Sequence, residues 1–208
     1  MLPEVIPIFP LPNVVLFPSV FLPLHIFEPR YRQMVSDALR ADRVIGMVLV
    51  KERQAQLVQP PEVYPVGCAG LISHSETLPD GRSHIVLRGM QRFRIGWEDQ
   101  DREYRRAHVE PLAEPATDAI RLDVRTARSK LETLLGGRLE TADGEAIMAG
   151  DMPDEDLINT LAQYLDLEPV EKQALLERDD IAQRSHALIE LIEMRTLSQG
   201  PLAGLGLQ

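Results

Sequence analysis

Seven of the chain's sixteen prolines, Pro3, Pro7, Pro10, Pro12, Pro18, Pro23 and Pro29, fall within its first twenty-nine residues. A proline has no N–H to give to a ladder. Strands that carry it sit at sheet edges, at bulges or at their own ends. Between these prolines the residues are almost all apolar, so this stretch predicts short strand pieces joined by sharp bends around a β core. Val20 to Ile26 alternates in the strand sense, with Val20, Leu22, Leu24 and Ile26 on one face and Phe21, Pro23 and His25 on the other. Both faces are largely apolar, which predicts that both are covered. Glu28 then stands at an N-cap position with Pro29 at the first helical position. Tyr31, Met34, Val35, Ala38 and Leu39 follow at the spacing of one helix face.

The next segments also read as strands. Arg43 to Val50 has the β-branched content of a buried one, and Val63 to Ser73 carries Gly67 and Gly70, which signal a bulge or a close backbone approach. Lys51 to Pro61 is polar and reads as a loop. Leu78-Pro79-Asp80-Gly81 is a turn, because proline presets φ and Asp-Gly accepts positive φ. It closes a hairpin onto Ser83 to Leu87. After Gly89 comes Gln91 to Trp97, with Phe93, Ile95 and Trp97 facing one way and Arg92 and Arg94 the other, and Tyr104 to Leu112 is the last strand. Closely spaced short strands of this kind predict a small closed or half-closed barrel.

Composition changes at Glu114-Pro115-Ala116, beyond which the periodicity is helical. Ile120, Val124, Ala127, Leu131, Leu134 and Leu135 form one stripe, and further helices start at Asp151 to Asp154, at Glu168-Pro169 and at Asp179-Asp180. Residues 136–152 read as a flexible connection and the tail from Gly200 as frayed. Residues 1–115 hold 13 Lys and Arg against 14 Asp and Glu, whereas residues 116–208 hold 9 against 18. The second half therefore repels nucleic acid and anionic membranes. One cysteine, Cys68, permits no internal disulfide. The start M-L-P-E lacks a secretory signal, and no apolar run spans a bilayer. These features fit a cytoplasmic protein with no membrane partner.

Three stretches resemble a known family. L-P-N-V-V-L-F-P-S-V-F-L-P-L-H-I-F-E-P-R-Y at Leu11 to Tyr31 is similar to the opening of the Lon N-terminal domain, the substrate-recognition part of an ATP-dependent protease. V-G-C-A-G-L-I followed by L-P-D-G-R-S-H-I-V-L-R-G-M-Q-R-F-R-I, within Val66 to Ile95, is a second match, and Asp156 to Glu177 a third. The resemblance implies an α+β fold in two parts. A PUA-like β pseudobarrel with one inserted helix occupies residues 1–115, and an α-helical bundle occupies residues 116–208. It also implies a non-catalytic module that binds unfolded polypeptides or degradation signals and works with an ATP-dependent protease. The alternatives are an RNA-binding PUA-like module and a small-molecule-binding barrel.

Candidate chemistry is sparse. Cys68 and His74 lie ~20 Å apart along a strand at ~3.3 Å per residue, too far for proton transfer. His74, Glu76 and His84 have the ligand types of a metal site, but a solvated hairpin edge explains them as well, and neither metal nor cofactor is expected. Arg88, Arg92, Arg94, Arg102, Arg105 and Arg106 are interleaved with Glu98, Asp99, Asp101 and Glu103, which reads as a mixed-charge face rather than a nucleic-acid surface. His25 reads as a packed residue, and Glu28 with Arg32 as a helix pair. An unfolded chain offers apolar side chains and an unpaired backbone, so its receptor needs an exposed apolar groove or a free strand edge. Leu16, Phe17 and Phe21 are the candidate contact residues. None of the three lysines, Lys51, Lys130 and Lys172, follows a glycine, so the sequence has no G-x-x-x-x-G-K-[ST] phosphate loop, and no serine–lysine protease motif is present. The purified chain is accordingly expected to leave both ATP and casein intact in a coupled phosphate and gel assay; ATP-dependent casein cleavage would contradict this.

Overall fold

In the computed structural model, residues 2–51, 60–99, 101–135 and 152–199 are described. The expected loop at 51–61, the connection at 136–152 and the tail fall largely outside them. The chain divides into two compact units, Met1–Ala113 and Glu114–Gln208.

The first unit contains β1 (Val5–Leu11), β2 (Phe21–Ile26), α1 (Pro29–Arg40), β3 (Val44–Leu49), β4 (Val66–Thr77), β5 (Ser83–Asp99) and β6 (Arg106–Pro111). The strand order is β2-β5-β4-β3-β1-β6, and β6 also pairs with β5. Five strands, β5, β4, β3, β1 and β6, thus close a ring, and β2 stands outside it. The β1–β3 pair is parallel and the others are antiparallel.

The register explains how the prolines are tolerated. β1 lies between two partners, yet β6 registers with Val5 to Pro7 and β3 with Ile8 to Leu11. Each half of β1 has one registered neighbour, so a proline need not break a ladder on both sides. β5 is divided in the same way. Phe93 to Asp99 pairs with β6, while Ser83 to Arg88 pairs with β2.

The interior of the ring is packed with Ile6, Ile8, Val44, Val48, Ala69, Phe93, Ala107 and Val109. A Cβ on Gly46 would stand 2.8 Å from the Phe93 ring. One on Gly67 would stand 2.8 Å from the same ring and 2.4 Å from the Met47 carbonyl oxygen. The glycines of β3 and β4 therefore make room for one aromatic side chain. α1 begins at Pro29, with the Tyr31 and Arg32 amides donating to the Glu28 carbonyl at 3.0 and 2.9 Å. It buries Tyr31, Met34, Val35 and Ala38, and the Tyr31 ring lies 4.4 Å from that of Phe9 on β1.

Three expectations need correction. β5 is one continuous strand through Gly89, not two. Arg92 does not share a solvated face with Arg94, because it is 2% exposed and packed beside the buried Phe93. A register shift between Ile95 and Trp97 also breaks the alternation, which leaves Trp97 57% exposed, stacked 3.6 Å from His108. Finally, the two faces of β2 are not both covered. Ile26 is buried and Leu22 and Leu24 half-buried, but Phe21, Pro23 and His25 are exposed. β2 is an edge strand, a position that its own composition does not reveal.

The second unit holds α2 (Asp118–Leu134), α3 (Asp154–Tyr164), α4 (Pro169–Leu176) and α5 (Ile181–Gln199). Thr117 caps α2 by accepting from the Ile120 amide at 3.3 Å, and Glu168 and Glu171 form a capping box on α4. Val124, Ala127, Leu131, Leu157, Ile158, Leu161, Leu188 and Ile192 supply the apolar interior. Arg184 on α5 is wholly buried among them. Its guanidinium donates to the Leu175 carbonyl at 3.2 Å, to Asn159 Oδ1 at 2.8 Å and to Glu114 Oε1 at 2.7 Å. Such a group stabilises only while its acceptors are in place. Arg184→Leu is expected to cost about 3 kcal/mol, and Gly67→Ala about 1–3 kcal/mol through overpacking. Urea titration of each variant checks both, and unchanged midpoints would contradict these packing assignments.

Candidate functional site

The three residues singled out from the sequence separate clearly. Leu16 is 1% exposed and Phe17 is 0% exposed, so both belong to the interior of the first unit. A Cβ on Gly70 would touch Leu16 Cδ2 at 3.0 Å, and one on Gly89 would meet the Phe17 carbonyl oxygen at 2.0 Å. The segment before β2 therefore lies directly on β4 and β5. Ser19 adopts φ 64° there, and its amide donates to the Gly89 carbonyl at 2.9 Å. Leu16 and Phe17 are thus withdrawn as surface contacts, because the bends at Pro18 and Ser19 turn this apolar run inward. Phe21 is 51% exposed.

Phe21 opens a larger surface. Residues directly opposite across strands present their side chains on the same side of a sheet. Phe21 is opposite Arg88, Pro23 opposite Val86 and His25 opposite His84. On β4, Val86 is opposite His74 and His84 opposite Glu76. Met90 is exposed one step beyond Arg88, and Phe27, 60% exposed, follows the end of β2. The His25 ring lies 4.9 Å from His84 and 5.9 Å from Phe27. The result is an exposed strip of aromatic and aliphatic side chains with imidazoles at one end and Arg88 at the other, on a strand that pairs with β5 alone among the described residues. Sequence reasoning missed Phe27, Met90, His25 and Arg88 as members of one surface. Only the cross-strand register brings them together.

The other candidates do not assemble a reactive centre. Cys68 is buried, and its thiol donates to the Ala69 carbonyl at 3.6 Å. Among the described residues no three His, Cys, Asp or Glu side chains are grouped to hold a metal ion. The arginines do not gather into one basic face. Arg92 is buried, Arg105 makes a two-pronged pair with Glu98 at 2.6 Å, and Arg106 lies 3.7 Å from Asp99. Burial raises the pKa of the Tyr31 and Tyr104 phenols, the second helped by its 2.9 Å bond to Asp37, and burial lowers that of the Lys172 ammonium. These groups are scattered and form no acid–base pair. A concavity of about 560 Å³, lined by Pro10, Tyr31, Pro61, Glu98 and Arg105 among others, lies outside the filled ring. In the second unit, a groove of about 270 Å³ between α4 and α5 is bordered by the exposed Val170 and Met194. Among the described residues no helix is long and apolar enough to cross a membrane.

The described part of the first unit is thus a strand ring with an appended edge strand and an exposed apolar outer strip. The family match names the class of module. Residues 5–194 match the ATP-dependent protease La (LON) substrate-binding domain, and the chain belongs to that family. It is 28% identical over 196 residues to a Lon protease of Cytophaga hutchinsonii, covering 92% of this chain and 24% of that protein. It is 29% identical over 181 residues to Lon protease 2 of Syntrophobacter fumaroxidans, covering 85% and 22%. The chain thus spans about a quarter of the length of these relatives. Among solved structures, the N-terminal domain of a Mycobacterium avium complex Lon protease superposes with a TM-score of 0.69 at 20% identity, over 91% of this chain and 98% of that one. A Lon N-terminal domain protein from Xanthomonas campestris gives 0.59 at 23% identity, over 89% and 97%. These likenesses establish a shared fold.

The burial pattern makes a direct prediction about the candidate residues. Phe17→Ala is expected to cost about 3–5 kcal/mol, whereas Phe21→Ala and Phe27→Ala should each stay within about 0.5 kcal/mol of the parent. Thermal melts of the three variants, read beside the binding of a hydrophobic dye, separate the roles. The exposed pair should lower dye binding without moving the melt. A large loss of stability in Phe21→Ala would contradict this.

Proposed function

We propose that this chain is a non-catalytic polypeptide-binding module that holds unfolded or degradation-marked chains on the outer strip of β2 and β5. We read the ring with α1 as a PUA-like pseudobarrel and the acidic helices of residues 116–208 as a second subdomain. The observation that carries the proposal is the concentration of Phe21, Phe27 and Met90 on and beside an edge strand. Exposed apolar surface next to a one-sided strand is what an unfolded chain can use and a folded protein rarely can. The family's description as a substrate-binding domain supports the same reading, and an ATP-dependent protease is the partner that such a module would serve.

An RNA-binding role has less support. Of the arginines that would form its surface, Arg92 is buried and Arg105 and Arg106 are paired with carboxylates, and the helical subdomain is strongly acidic. Small molecules would have to use the outer concavities, since the ring is filled with side chains.

Fluorescence anisotropy with labelled, reduced and carboxymethylated α-lactalbumin tests the proposal. Binding should favour this unfolded form over the native protein and weaken little as salt is raised, because apolar contacts are not screened. The Phe21→Ala/Phe27→Ala double variant should bind about tenfold more weakly. Equal binding of native and unfolded forms, or an unaffected double variant, would contradict it.

A further inference from the structure

The hydrogen-bond parity of β2 indicates how a bound chain would lie. The Gly89 amide donates to the Val20 carbonyl at 2.8 Å, which fixes Val20 as a residue whose backbone faces β5. In an antiparallel ladder these positions alternate. The backbone groups of Leu22, Leu24 and Ile26 therefore face β5, and those of Phe21, Pro23 and His25 face away from it. This parity is also the one a proline tolerates, since Pro23 has no N–H and would otherwise interrupt the β2–β5 ladder. The outer edge of β2 thus offers the His25 N–H as a donor and the Pro23 and His25 carbonyls as acceptors. Such an array is complementary to another extended backbone. Opposite Phe21 stands Arg88, which is exposed and makes no ion pair among the described residues.

Building on the polypeptide-binding reading, we propose that the bound segment adds to β2 as a strand and carries an acidic side chain that meets Arg88. Strand spacing places an added chain about 5 Å beyond β2 and about 10 Å from β5, a gap that an arginine and a glutamate side chain span together. Its outward side chains would pack beside Phe21 and Pro23, and its inward ones beside the half-buried Leu22 and Leu24. The preferred ligand is then an extended apolar segment with an acidic residue in the row of Phe21 and Arg88. The residue opposite Pro23 donates its N–H but receives none in return.

The test uses the full chain and a capped, fluorescein-labelled heptapeptide of alternating leucine and serine with one central glutamate. His25→Pro removes the outward N–H while sparing the β2–β5 ladder, and is expected to weaken binding about 3- to 10-fold. A backbone N-methylated copy of the peptide should be weakened similarly on the unaltered protein, which keeps the test valid should His25→Pro fold poorly. Arg88→Glu should reverse the preference between the glutamate peptide and its lysine counterpart. A peptide with serine in place of glutamate and a free C-terminal carboxylate should bind no better than its capped form. If it binds better, the acidic side chain is the wrong source of charge. If Phe21→Ala weakens binding while His25→Pro and N-methylation do not, strand addition is overturned and the polypeptide-binding reading stands. If neither the peptides nor carboxymethylated α-lactalbumin bind, both are overturned.

Discussion

One aromatic ring sets the dimensions of the first unit. Phe93 projects into the strand ring, and it fits because Gly46 and Gly67 have no Cβ where the ring lies. Ile6, Ile8, Val48, Ala69 and Ala107 fill the remaining space. Small residues facing one large one let five strands close with a packed interior, which leaves no lumen for a ligand. The surface chemistry of the module follows from this closure. Because β6 pairs with the second half of β5 only, the first half is open to β2. The strand that shapes the core thus also holds the edge strand in register.

The second unit is held by different means. Its helices bury aliphatic side chains around one guanidinium, with Arg184 joining α5 to Leu175, Asn159 and Glu114 through three acceptors. Removing one partner of such a buried pair costs more than the pair contributes net, because it strands the groups left behind. The helices carry most of the chain's negative charge, so a client held on the first unit would find little attraction for acidic segments elsewhere. Arg88, at the end of the strip away from the imidazoles, is an exposed cation with no ion pair among the described residues.

The parts legible in the sequence were those fixed by local chemistry. Glu28-Pro29 starts α1 because the constraint lies within one turn, and Pro79-Asp80-Gly81 closes the hairpin because Gly81 takes φ 81°. The apolar run of β3, interrupted only by Gly46, matched its complete burial. What escaped were properties set by distant residues. The prolines of β1 suggested a strand at an edge, at a bulge or broken at its own ends, whereas the structure shares that strand between two neighbours along its length. Arg92 looked solvated because alternation with Phe93 says nothing of what covers the other side of β5, where Arg92 is 2% exposed. Leu16 and Phe17 looked like neighbours of Phe21 at an open edge, but positive φ at Ser19 separates a buried segment from an exposed one. The exposed apolar strip was legible only in Phe21. Its other members lie on β5 and beyond β2, and register alone unites them.

The account depends on clients engaging the outer edge and face of β2. The most direct measurement is a photo-crosslinking map, with a diazirine-bearing, carboxymethylated client irradiated on the full chain and adducts located by mass spectrometry. The account predicts adducts concentrated at Phe21 to Phe27 and around Met90. Adducts confined to α4 and α5, with residues 21–27 and Met90 unmodified, would contradict it.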